Sequence, residues 1–475
     1  MGGSERRRPG RRPEGGILNA DRGLHREPER ILGFWSASAL VVGLIIGSGI
    51  FRAPSSVAAL LPSPFLMLAA WTVGGILSLC GALAVSDLGT RYPETGGLYV
   101  FMRESLGLPW AVGFGWSGFL VSRPSVLAGV ATVFAAYLCP MVGLTGGWAV
   151  ERWVSSAAVV VFTVINILGL RAGAGVQNLF TGAKVLGLAL LIVAVGLFGR
   201  GQLGAAPPVP VAHALPVAML LSLITILFAY DGWIDVTYAG GEVRNPRRNL
   251  PRAIVLGTLA CMALYLLTNF AYCAVLSPAE MAAAPNVAAV ALGRVFGPAG
   301  ERVLTALVMI SSLGILNGSI LTGTRLPFAL ARDGYLPAQL GTLLPATGSP
   351  AWALSVQGLM TVLILLFVKG FDNIAALFVV TSWLAYAVGI GGLLVIRARE
   401  RRAGHAVVGA AAAGAAGGEA VRPFVMPFGP WPALIFIVVT LAIIVQDVIS
   451  SGLSHLAGVG VVVVAAAVVA LRPRR

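Results

Sequence analysis

Along the chain, long apolar runs alternate with short stretches that hold nearly all of the charge. Apolar segments fall near residues 33–60, 65–90, 108–138, 153–170, 174–199, 216–241, 251–276, 299–330, 350–369, 372–396, 430–448 and 453–471. At about 1.5 Å of rise per residue, segments of this length cross a hydrocarbon layer roughly 30 Å thick. In lipid a segment must satisfy its own backbone polar groups, which leaves helices or closed barrels. The pattern therefore predicts an all-α membrane protein with twelve transmembrane helices.

The first segment breaks its own rule. Gly47, Ser48 and Gly49 sit near its centre, where glycine is a poor helix former. If the backbone unwinds there, a half-helix C-terminus and a half-helix N-terminus face each other at the bilayer midplane. Their carbonyls and amides then need partners, and a zwitterionic solute supplies both charges. The same glycines would also let two helices pack closely. A second interruption lies in the sixth segment, at Phe228-Ala229-Tyr230-Asp231-Gly232-Trp233. An aspartate in mid-span costs roughly 2.5 to 3.5 kcal/mol on insertion scales, so it should face a cavity or protein. Breaks in the first helix of each of two five-helix sets point to an inverted-repeat transporter with its site between the repeats. Two matched breaks favour a binding role for the glycines over simple packing.

Composition narrows the class. Hydrophobic residues make up 57% and charged residues 11% of the 475, with mean hydropathy +0.88, far from the soluble norm of about a quarter charged. The net charge of +14 suggests nucleic acid until it is mapped along the chain. With a cytoplasmic N-terminus, 25 of the 33 Lys and Arg fall on the inner side and six on the outer, which orients both termini to the cytoplasm. The remaining two, Arg123 and Lys184, lie inside spans. No nucleic-acid partner is expected. Residues 1–30 form a polar tail, not a signal peptide, and the Ala/Gly-rich stretch within 398–428 reads as a cytoplasmic linker. Cys80, Cys139, Cys261 and Cys273 have no metal-type spacing, and His25, His213, His405 and His455 are read as lying in tails or loops, which leaves no buried histidine relay. No metal or cofactor is expected.

Six blocks then resemble, in order, the amino acid, polyamine and organocation (APC) superfamily, and within it the L-type amino acid transporter branch. They are IIGSGIF (45–51), SDLGTRYPETGGLYVF (86–101), Arg123-Pro124-Ser125, VQNLFTGAKVLGL (176–188), FAYDGW leading into GGEVRNPRRNLPRAI (240–254), and LNGSILTGTRLPFALARDGYLP (316–337). The resemblance implies the leucine-transporter-type fold: two inverted five-helix repeats over 31–200 and 216–397, then two peripheral helices within 429–475. It implies that a substrate carboxylate sits on the amides of Gly47, Ser48 and Gly49. The substrate amine would meet carbonyls of Ile45 or Ile46 and of Phe228, with Ala229 in the same break and Phe228 and Tyr230 lining the side-chain pocket. Asp231 stands where close relatives often carry a small residue. It would contact the substrate or cap the helix that follows, and Asp235 could share either task.

Lys184 lies roughly 15 Å from each end of its span, too deep to snorkel. By resemblance it stands where sodium-driven relatives bind a cation, against Gly43 of the first span and the hydroxyls of Ser319 or Thr322 of the eighth. A purely structural ammonium would use the same groups. Arg123 is expected in a structural ion pair. Asp87, Arg91, Glu94, Glu242, Arg244, Arg332 and Asp333 are expected to form a cytoplasmic charge network.

These features together predict a sodium-independent secondary active transporter of amino acids in the cytoplasmic membrane, a permease or exchanger working by alternating access. One alternative is a proton-coupled or exchange transporter of cationic amino acids or polyamines, with a proton as the candidate coupling ion. Another is a non-transporting amino acid sensor, which the short soluble tails disfavour. An enzyme would need a catalytic set, such as paired midplane acids or HExxH, that the sequence lacks. Animal members of the branch pair with a heavy chain. No such partner is expected here, because Cys139 sits at the end of the third span and not clearly in a matching outer loop.

Overall fold

The computed structural model describes residues 30, 32–47, 49–94, 96–168, 173–198, 213–284, 286–345, 347–402 and 424–471. The regular elements among these residues are all helices. The nearest approach to a strand among them is a single parallel bridge between Leu32 and Val243. In chain order the α-helices are α1 (Phe34–Ile45), α2 (Gly49–Leu60), α3 (Pro64–Arg91), α4 (Leu98–Ser105), α5 (Leu108–Ser117), α6 (Arg123–Met141), α7 (Trp148–Ile167), α8 (Gly173–Phe198), α9 (Leu215–Tyr230), α10 (Pro246–Val275), α11 (Pro278–Ala283), α12 (Val287–Gly323), α13 (Arg325–Arg332), α14 (Ala351–Phe367), α15 (Phe371–Arg402), α16 (Trp431–Ser451) and α17 (Ala457–Leu471).

Ten helical stretches among the described residues are long and apolar enough to cross a membrane, and two shorter apolar helices, Val185–Phe198 and Ala351–Phe367, accompany them. The helix ends follow local chemistry. Ser63 caps α3, its hydroxyl accepting from the Leu66 amide at 3.4 Å, with Pro64 as the first helical residue. Ser277 and Glu280 form a reciprocal capping box on α11. The eighth apolar segment starts earlier than its hydropathy suggests. α12 begins at Val287 and bends at Gly297, whose φ of +66° few side chains tolerate.

Three departures from regular helix shape the interior. α1 stops at Ile45 and α2 begins at Gly49. α9 stops at Tyr230, and after a turn the chain resumes as a 3-10 helix over Asp235–Glu242. Between α5 and α6 lies a π-helical turn, Gly118–Ser122, in which the Arg123 amide donates to the Gly118 carbonyl. Pro124, having no N–H, cannot serve the carbonyl four residues back, and the ladder slips by one residue. That slip helps to set where the Arg123 side chain points. The turn after α9 is anchored by Trp233, fully buried and packed on Tyr386, Phe436 and Trp383 at ring-centroid distances of 5.4, 6.0 and 6.2 Å. At the C-terminal end of α3, buried Asp87 accepts from Arg91, Arg397 and the Met426 amide, while Arg91 also reaches Glu400.

Candidate functional site

The two breaks cross. A Cβ placed on Gly49 would lie 2.5 Å from the Ala229 Cα, and one on Gly232 would lie 2.8 Å from the Leu44 carbonyl carbon. Each break thus presses a glycine against the backbone of the other. Gly232, at φ +118°, could not carry a side chain without strain in any case. A single side chain clamps the crossing: the fully buried Tyr265 of α10 places its hydroxyl 2.6 Å from the Ile45 carbonyl and 3.2 Å from the Ala229 carbonyl.

The Ile45 carbonyl therefore has no room for a substrate amine in this state. It accepts from Tyr265 and from the Gly47 amide, which lies 2.6 Å away, and a carbonyl oxygen has two lone pairs. For the same reason the Gly47 amide is not presented to a carboxylate.

Around the crossing lies a cavity of about 80 Å³. Of the residues singled out from the sequence, Ile45, Gly47, Gly49, Phe228, Ala229, Asp231 and Ser319 line it. Tyr230 does not. It is wholly buried between Trp71 and Tyr265, at 5.6 and 5.1 Å, and donates to the Trp71 carbonyl at 3.3 Å. Residues two apart on a helix point about 200° from one another, so Phe228 and Tyr230 cannot face the same space. Ile46 packs in the core and Gly43 is buried within α1. Ser48 and the side chains of Lys184 and Thr322 lie outside the described residues.

Three formally charged side chains open on the cavity. Arg123 grips Asp235 with both terminal nitrogens, at 2.6 and 3.1 Å, and its guanidinium lies 5.0 Å over the Tyr238 ring. Asp231 accepts from the Tyr386 hydroxyl at 3.0 Å. It does not cap the helix that follows: Ile234 precedes the 3-10 helix and no side chain caps it, while Asp231 itself stands at the C-terminal end of α9. With the Arg123–Asp235 pair neutral as a unit, Asp231 leaves the cavity one formal negative charge in excess.

One side of the cavity is closed by aromatic rings. Phe228 meets Phe371 and Phe378 edge-on at 5.3 and 5.5 Å, and Arg52 sits 5.6 Å over Phe371. A Cβ on Gly129 would come within 2.5 Å of the Phe228 ring, so that glycine makes room for the aromatic. On the other side Tyr99 donates to Asp333 at 2.8 Å. Burial, helped by Asp333, holds this phenol well above its ordinary range and keeps it a donor at any physiological pH. Tyr265, Tyr386 and Gly129 carried no signal in the sequence, because a tyrosine or glycine in an apolar span reads as packing. Among the described residues no cluster of His, Cys, Asp and Glu could hold a metal ion.

Apolar spans surrounding a cavity that holds three charged side chains at two crossed helix breaks define a multi-pass membrane transporter. The model of the family described as "Amino acid permease" matches residues 32–470. The serine/threonine exchanger SteT of Bacillus subtilis (strain 168) is 32% identical across 80% of this chain and 85% of its own length. The b(0,+)-type amino acid transporter 1 of Mus musculus is 34% identical across 78% and 76%, and the Asc-type amino acid transporter 1 of the same species 31% across 78% and 71%. The chain belongs to the amino acid permease family. It is an amino acid transporter and not an enzyme.

Proposed function

We propose that this chain is a secondary active transporter that carries amino acids across the cytoplasmic membrane by alternating access, without sodium. The crossing of two interrupted helices at a central cavity carries this reading. It opposes a helix C-terminal end, which attracts an ammonium, to a helix N-terminal end, which attracts a carboxylate. Ten long apolar helices and two shorter ones support a twelve-span arrangement. We assign it as two inverted five-helix repeats, 31–200 and 216–397, followed by two peripheral helices within 429–475. The distribution of arginine supports cytoplasmic termini. Lys184, on α8, stands in for a bound sodium in this scheme, and a proton is the candidate coupling ion. We assign no heavy-chain partner, since Cys139 is only 4% exposed and poorly placed for an intermolecular disulfide.

The cavity favours small substrates. A cavity of about 80 Å³ supports a small amino acid over arginine, which would require it to expand. A second reading, transport of cationic amino acids or polyamines, is favoured by one observation: the unmatched Asp231 carboxylate.

The test is uptake and counterflow in proteoliposomes with serine, alanine, leucine, arginine and putrescine, in sodium or choline buffer, with and without a pH gradient. We expect counterflow of the small neutral amino acids in choline buffer. If Asp231 contacts substrate, Asp231→Gly should shift the ranking of cationic against neutral substrates by about tenfold, the worth of one modest charge-assisted contact. Binding without uptake of any of them would instead mark a sensor.

A further inference from the structure

A second cavity, of about 190 Å³, adjoins the first on the side where α1 begins. Leu32 and Leu40 bound it, with Glu242 at the end of the 3-10 helix and Arg325 at the start of α13. Its remaining wall includes Leu44, Arg123, Asp235 and Tyr238, and these four residues also line the central cavity. One ion pair, flanked by a leucine and a tyrosine, thus separates two chambers. Across the second chamber Arg325 and Glu242 form another acid–base pair at 3.1 Å, with side chains 40% and 19% exposed.

We propose that this second chamber is a weaker binding site for the amino acid zwitterion, occupied between the central cavity and the N-terminal face, with Arg123–Asp235 as its door. The proposal rests on the transport reading above and deepens it. A zwitterion is the solute whose two ends match a divided ion pair. When Arg123 and Asp235 separate to let substrate through, each is left as a charge without its partner in a largely buried place. An ammonium beside Asp235 and a carboxylate beside Arg123 replace what each has lost. Glu242 and Arg325 offer the same exchange across the chamber. The chamber's two acids and two arginines cancel formally, whereas the central cavity carries the extra carboxylate of Asp231. The second site therefore suits a neutral zwitterion and has no charge with which to select a cationic side chain. Its leucines give no directional contact by which to rank side chains, so selection is made in the central cavity.

The experiment is equilibrium binding of tritiated L-serine, and in parallel tritiated L-arginine, to the full chain in nanodiscs, alongside uptake of the same probes. For the transported probe the wild type should show two sites per chain. Glu242→Gln/Arg325→Gln should weaken the second by at least about tenfold, the worth of one charge-assisted contact, and leave the tighter one in place. Leu40→Trp, which fills the same chamber without touching its charges, should remove the weaker site as well. Retention of the tight site in either variant shows that the protein is folded. A single site in the wild type, or two sites that survive both variants, overturns the second site and leaves the transport reading intact. Absence of both binding and uptake overturns the two together.

Discussion

The crossing of the breaks can be tested with one methyl group. In Gly49→Ala the new Cβ would lie 2.5 Å from the Ala229 Cα and 2.7 Å from its Cβ, where ordinary contact begins near 3.4 Å. The obstacle is backbone, so no rotamer change relieves it, and α2 and α9 must part by about 1 Å. The Tyr265 bond to Ala229, already 3.2 Å, would then pass beyond hydrogen-bonding reach. Over-packing of this kind costs about 1–3 kcal/mol, and the lost hydrogen bond about 1 more. A total of roughly 2–4 kcal/mol, borne by the geometry that holds substrate, corresponds to at least about a thirtyfold loss of uptake at low substrate. Ala229→Gly should restore only part of it, because the clash with Cα remains. Gly187→Ala, at a buried glycine whose added Cβ would find its nearest neighbour at 3.7 Å, controls for the general effect of the change. Gly47→Ala, with 3.6 Å of clearance, should lose less than Gly49→Ala. Initial-rate uptake in proteoliposomes, with thermal stability of the same preparations, decides the matter. Gly49→Ala transporting within about threefold of wild type would falsify the account of the crossing.

Three further outcomes follow from the charges. Arg123→Gln and Asp235→Asn should each strip a partner from a largely buried ion, at a cost toward the low end of about 3–5 kcal/mol because both groups open on the cavity. The double variant should recover most of the lost thermal stability, and additive losses would show that the pair is not a unit. Lys184→Ala should cut turnover more than substrate affinity, with wild-type uptake equal in sodium and choline; strict dependence on sodium would remove the lysine from this role. Glu280, in its capping box and beside Arg294, titrates below the ordinary glutamate value, chiefly through the Ser277 amide. Its contribution is full above the ordinary glutamate pKa and fades as pH falls through the lowered one. Wild type should therefore lose its small melting-temperature advantage over Glu280→Gln only in that acid range, and an advantage independent of pH would contradict the assignment.

The breaks were readable because they violate a local rule. Glycine at 47 and 49 and aspartate at 231 are costly inside apolar spans, and a costly residue asks for a reason. Arg123 announced itself in the same way, but its partner did not, since Asp235 lies 112 residues further on and only the fold brings them together. Tyr265 and Tyr386 were invisible because an aromatic in an apolar span costs nothing that a sequence can register. Tyr230 was placed on the wrong side although helical geometry alone could have parted it from Phe228. The Ile45 carbonyl looked available because a hydroxyl from α10 leaves no trace near residue 45.

The small bridge between Leu32 and Val243 constrains how such a protein can move. The Leu32 amide donates to the Glu242 carbonyl at 2.9 Å, the Arg244 amide returns to the Leu32 carbonyl at 2.8 Å, and the Arg244 side chain reaches the Arg30 carbonyl at 3.1 Å. α1 and the 3-10 helix are thereby stitched together at their feet as well as pressed together at their crossing, like the two legs of a staple. Neither leg can swing alone without tearing one of those seams. A hinge that opens this face must carry both legs as one body, with Arg30 fastened to it through Arg244. A label on the foot would travel with the hinge, and α16, on which Trp233 of the second break packs through Phe436, would feel the same motion from the side.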